Sequence, residues 1–251
     1  MNSKKTILIF SLLMLLCTGC GTKKEDSSTL SEKPNKEDSL ILSEKPNRED
    51  VMIVGAGIAE TEVSYGSIDR LLTKAEVVIY GETKENIYQV DNGSISTTEN
   101  VEVLECLYGN LEKGKEINIK KMGGYAKMED YINSYDEEYR EQIRYSTAFA
   151  DLTDNEIQET YIQLLPEGEV DTDIGSRSIY FLEESETQPG IYTRVGSYEG
   201  QYAELSNGQF KIPGLETYEE INNVIISEKE DDEGLRSCAI SWDEIINQIK
   251  K

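Results

Sequence analysis

The sequence predicts an α+β fold, and three observations carry that expectation. Short, turn-separated runs rich in β-branched and aromatic residues recur between Val77 and Ile212. Helical spacing interrupts them from Met128 to about Leu165, and one amphipathic helix closes the chain around Trp242. The run from Val51 to Lys251, some 200 residues, is long enough for a single domain with its own core.

The chain opens differently. Lys4 and Lys5 precede Thr6 to Leu16, an unbroken, mostly large and apolar run, which is the layout of an export signal. A spanning helix needs about 20 apolar residues, so this run is too short to be a permanent anchor. The stretch Leu16-Cys17-Thr18-Gly19-Cys20 places small residues just before a cysteine. It resembles the lipobox of bacterial lipoproteins, with Cys17 where that family usually has Leu. The resemblance implies cleavage after Gly19, so that residues 1–19 are a lipoprotein signal peptide, and a diacylglycerol thioether on the Cys20 sulfur. Stable anchoring takes more than one acyl chain, and a diacyl group meets that condition. The implied location is the outer face of the bacterial cytoplasmic membrane, with the membrane as partner through the lipid anchor.

Residues 20–50 are expected to form a tether. Gly21 to Asp50 is polar and almost without aromatic residues, so it cannot bury enough apolar area to offset the entropy of ordering it. It contains a duplication: Leu30-Ser-Glu-Lys-Pro-Asn-Lys-Glu-Asp38 returns twelve residues later as Leu42-Ser-Glu-Lys-Pro-Asn-Arg-Glu-Asp50. The duplication reads as spacer or as a short recognition motif presented twice; two copies are too few for a solenoid.

The body, residues 51–251, begins Val51-Met-Ile-Val-Gly55-Ala-Gly57-Ile-Ala-Glu60, which looks like a dinucleotide fingerprint. The third glycine of that motif lets a helix pack on its strand and receive pyrophosphate. Glu60 brings bulk and negative charge there instead, and no alternation of strands and helices follows, so no cofactor is expected. Ser67 then caps a helix through Ile68, Leu71, Leu72 and Ala75. Strands are expected at Glu76–Glu82, Val101–Leu107, Glu116–Lys121, Ser178–Leu182 and Gly190–Val195, with a final hairpin, Gln201–Leu205 and Gly208–Ile212, turning at Ser206-Asn207-Gly208. Thr153 and Glu156 make a capping box ahead of Ile157, Tyr161 and Leu165; Ser241 and Glu244 make a second ahead of Ile245, Ile246 and Ile249.

From Gly66 to Gly214 this arrangement, with its Gly123-Gly124 pair, is similar to a broad group of exported Gram-positive proteins of unknown role. Their sheet is a small closed barrel of the oligonucleotide/oligosaccharide-binding type, as in tissue inhibitors of metalloproteinases. The resemblance implies a small OB-like β-barrel, to which residue spacing adds a helical insertion and a C-terminal amphipathic helix. It implies no reaction.

Composition narrows the chemistry. There is no histidine, which removes Ser-His-Asp triads, Cys-His dyads and His-based metal sites. The net charge of −24 becomes −26 once the two signal lysines are lost, a surface that repels phosphate backbones, so no nucleic acid is expected as a partner. Cys106 and Cys238 could form a disulfide in an oxidising compartment or stay as two buried thiols. Fifteen tyrosines, among them Tyr131, Tyr135, Tyr139, Tyr145, Tyr161, Tyr192, Tyr198 and Tyr202, suit protein or carbohydrate contacts or a half-buried sheet boundary. Glu137, Glu138 and Glu141 read as a solvated helix face. Asp171-Thr-Asp173 and Glu228–Glu233 lack the spacing of a calcium loop, so no metal site is expected. The resulting expectation is a non-enzymatic domain that contacts an envelope protein or glycan; the alternative is a carboxylate-dependent glycan hydrolase.

Overall fold

A computed structural model describes residues 40–54, 64–214 and 238–251, within a folded unit that runs from Asp38 to Lys251. The signal run, Cys17, Cys20 and the first copy of the repeat lie outside the described residues, as do Gly55 to Val63 and Glu228–Glu233. The fold is α+β and mostly sheet, with five α-helices among the described residues. None of them is long and apolar enough to cross a membrane.

The largest element is one long hairpin of β3 (Val77–Asp91) and β4 (Ser94–Tyr108). Its turn is Asn92-Gly93, with φ of 45° and 73°, the left-handed pair that a two-residue hairpin needs. The expected strands at 76–82 and 101–107 are therefore the far ends of one continuous structure. Three register irregularities, at Val78/Ile79, Tyr80/Gly81 and Thr83/Glu85, bend and twist it.

That curvature lets the sheet return on itself. β5 (Glu116–Met122) runs antiparallel to β4, β9 (Ile191–Arg194) lies parallel to β5, and β8 (Arg177–Glu184) is antiparallel to β9. β8 also pairs with β3 over Val77–Glu82, which closes a ring in the order β3-β4-β5-β9-β8. Val77, Ile79, Val101, Val103, Ile117, Ile119, Tyr180, Leu182 and Tyr192 fill its interior. At Gly81 the strands approach so closely that a Cβ would stand 2.5 Å from Val101 Cγ1.

A second core lies outside the ring. α1 (Ile68–Leu72) and α5 (Trp242–Ile249) lay Ile68, Leu71, Ile245 and Ile249 on Val78, Ile179 and Phe181. The Ser241/Glu244 capping box is formed; Ser67 occupies the N-cap of α1 without a side-chain bond. β10 (Gln201–Ala203) joins β8, and the hairpin turn at 206–208 is present. Its second strand, β11 (Phe210–Lys211), is only two residues long and pairs with β12 (Ala239–Ile240).

The insertion holds α2 (Met128–Ser134), α3 (Glu137–Arg144) and α4 (Asp154–Glu159), the last with its Thr153/Glu156 capping box intact. The expectation of helix through Tyr161 to Leu165 is corrected: β7 (Tyr161–Leu164) is a strand between β6 (Gly124–Lys127) and β2 (Val51–Ile53). Its Ile162 is fully buried against Ala126 and Met128, so ladder pairing and burial override continuation of α4. β2 is parallel to β7, the only neighbour it pairs with among the described residues.

Residues 40–50, assigned to the tether by composition, carry structure. β1 (Leu40–Leu42) pairs with β3 at Tyr88 to Val90, and Arg48–Asp50 form a single 3-10 turn.

Candidate binding cleft and its ion pairs

Ile53, Gln163 and Tyr125 stand opposite one another across β2, β7 and β6, so they form one row on the same face of that small sheet. The second repeat copy passes beside this row. Lys45, Pro46, Asn47 and Arg48, with Val51, Ile53, Tyr125, Gln163 and Asp171, line a cleft of about 550 Å³. Ile53 is 71% exposed at its edge.

The polar groups in the cleft are held in place. The Tyr125 hydroxyl donates to Asp171 Oδ2 at 2.5 Å, and the Gln163 amide donates to the Tyr125 oxygen at 2.7 Å. Lys45 Nζ reaches Asp171 Oδ2 at 2.7 Å and Asp173 Oδ1 at 2.6 Å, and sits 5.6 Å from the centre of the Tyr125 ring. Tyr88 supports that ring edge-on at 5.3 Å, and Tyr88 in turn pairs with Leu42 of β1. Burial pushes the Tyr125 phenol well above its ordinary range, and the Asp171 bond adds to this. The same desolvation, with the Asp171 charge, lifts Tyr88 to about 12. Burial alone would lower Lys45, but hydrogen bonds and charge from Asp171 and Asp173 outweigh it and raise the ammonium. All three side chains therefore keep their protons at neutral pH. Arg48 lines the same cleft and has no ion-pair partner among the described residues.

A second charged group lies inside the ring. Arg194 grips Glu169 through both terminal nitrogens at 2.6 and 2.7 Å and donates to Gln201 at 2.7 Å. Glu99 meets Lys121 at 2.5 Å, and Lys121 also donates to the Val170 carbonyl and to Thr172. Burial would raise the Glu99 carboxyl, yet the Lys121 and Arg194 charges prevail and hold it below its ordinary value. These four side chains are almost entirely buried and face one another, so they form a structural polar layer rather than a site open to ligand. Nothing in the sequence marked them: 29% of the chain is charged, and a buried Glu looks like any other.

The residues singled out from sequence disperse. Tyr192 lies inside the ring, Tyr202 outside it, Tyr161 on β7, and Tyr131 stacks edge-on against Tyr135 and Phe149 in the insertion. Tyr139 and Tyr145 are exposed on and just after α3, as are Glu137, Glu138 and Glu141. Asp171 and Asp173 come together on a lysine, and no metal-holding cluster occurs among the described residues. Cys106 and Cys238 are half-buried and not joined; the Cys106 sulfur accepts the Leu111 N–H and donates to the Tyr108 carbonyl. Lys45 and Gln163 were missed. The repeat was a signal for the first, because a motif presented twice is a reason to look for what holds it.

The chain matches no protein-family model, no curated protein and no solved structure.

Proposed function

We propose that the chain is a lipid-anchored extracytoplasmic binding domain, acylated at Cys20, whose body contacts another envelope protein or a glycan. The observation that carries this reading is the cleft beside β2. It combines exposed apolar edge (Ile53), a cation without an ion-pair partner among the described residues (Arg48) and oriented polar groups (Tyr125, Gln163, Asp171) in one concavity, the usual composition of a recognition site. An OB-like reading of the ring agrees with it. Five strands ordered β3-β4-β5-β9-β8, with β5 and β9 parallel, match a Greek-key barrel with a helical insertion between its third and fourth strands. The hydrolase alternative needs two carboxyl groups flanking one glycosidic bond with pKa values pushed apart. In the cleft, Asp171 and Asp173 instead share one ammonium group.

Two measurements test the proposal. Cys20→Ala should abolish incorporation of labelled fatty acid and release the protein from the membrane fraction; a variant that stays membrane-bound overturns the anchor. Isolated envelope protein and glycan fractions should be retained by the intact chain and lost with Arg48→Glu combined with Gln163→Ala. Equal retention by both would remove the cleft from the account.

A further inference from the structure

The binding reading uses Arg48 but not the duplication that contains it, and the structure shows what the second copy does. Leu42 pairs across from Tyr88, Lys45 bridges Asp171 and Asp173 over the Tyr125 ring, and Asn47 accepts the Asp50 N–H at 3.0 Å to start the 3-10 turn. Each of these residues has an identical counterpart in the first copy: Leu30, Lys33, Asn35 and Asp38. The copies differ at one position, Lys36 against Arg48, and both keep a lysine before proline, which presets extended backbone at the lysine. Within the nine residues the notch makes these contacts with side chains that both copies share; the flanking pairs of Leu40 and Ile41 with Val90 and Gln89 belong to the downstream copy, since Ser28 and Thr29 stand in the corresponding places upstream.

We propose that the notch formed by Tyr125, Asp171 and Asp173 is a recognition site for this nine-residue motif, and that it accepts the upstream copy from a second molecule of the same chain. Two properties permit exchange. The resident ion pairs are partly exposed, with side-chain accessibilities of 33%, 29% and 69% for Lys45, Asp171 and Asp173, so the resident copy is held reversibly. The downstream copy is joined to β2 without a spacer, so when it lifts from the notch it stays tethered to its own body and cannot reach a neighbour's. The upstream copy is twelve residues further out, a reach of at most about 40 Å, and can enter a neighbour's notch. Reciprocal exchange remakes the contacts of Leu42, Lys45 and Asn47 with Leu30, Lys33 and Asn35 and yields a closed pair.

Zero-length carbodiimide coupling of full-length chain, mixed as heavy-isotope and ordinary protein, reads this directly. It condenses a lysine amine with an adjacent carboxyl group, with loss of water. A mixed-isotope product joining Lys33 to Asp171 or Asp173 is expected beside the intramolecular Lys45 product. Lys45 products alone, or Lys33 products confined to one isotope, would overturn the proposal. In a second arm, a labelled peptide of residues 30–38 should bind Lys45→Ala at least tenfold more tightly than the intact chain, and the Lys33→Ala peptide should not bind. Absence of saturable binding to both proteins overturns it too. Exchange needs neither acylation of Cys20 nor a ligand in the cleft, so its failure leaves those readings standing.

Discussion

Two sets of ion pairs in this protein use the same chemistry in opposite surroundings. Arg194 and Glu169 lie inside the ring with side chains 2% and 1% exposed, whereas Lys45 meets Asp171 and Asp173 at the rim, open to solvent. Inside, the charges have left water altogether, and each is tolerable only because its partner and further hydrogen bonds are in place. At the rim, solvent screens the attraction and ordering a long lysine offsets much of it. Burial, more than distance, separates a pair the fold cannot lose from one at the rim that can open and close.

Breaking the buried set should have the largest effect. Arg194→Ala removes the ion-pair partner of the buried Glu169, which keeps only the Val170 N–H, and should cost about 3–5 kcal/mol in denaturant unfolding; a loss below about 1 kcal/mol would show that water reaches the ring interior.

Acid should act on the same layer. Glu99 is held below its ordinary value of 4.5, so below that pH the unfolded chain binds a proton that the folded chain refuses, and stability falls as pH drops. In the Glu99→Gln variant, melts between pH 5 and 3 should show a shallower acid loss, and an unchanged slope would remove Glu99 from the acid response.

The notch should respond less. Tyr125→Phe removes the hydroxyl that joins Asp171 to Gln163 and should cost about 1 kcal/mol. Lys45→Ala should cost no more than about 1 kcal/mol while raising amide exchange at Leu40 to Leu42, the strand it secures. A loss from Lys45→Ala as large as that from Arg194→Ala would erase the contrast between rim and interior.

Sequence legibility followed the same division. The expected strands lie where apolar side chains line the strand, on both faces at Val77 to Ile79 and Ile179 to Leu182 and on one face at Val101 to Val103. Between them, Thr83, Thr97, Glu99 and Lys121 point inward and are buried, so the apolar alternation fails although the strands continue. The Asn92-Gly93 dipeptide was the surviving signal for that half of the hairpin. Tyr161 to Leu164 misled for another reason: the helical spacing of α4 runs on into it, and only its neighbours β2 and β6 make it a strand.

The sequence by itself determined the α+β character, both capping boxes, the absence of imidazole chemistry and the duplicated motif, because each depends on residue identity or near spacing. Closure of the ring, the choice of Lys121 and Arg194 as partners for buried carboxylates, and the docking of the second repeat copy were decided only in three dimensions. Each joins residues tens of positions apart, and a charged side chain does not carry in its local sequence whether it will meet water or another charge.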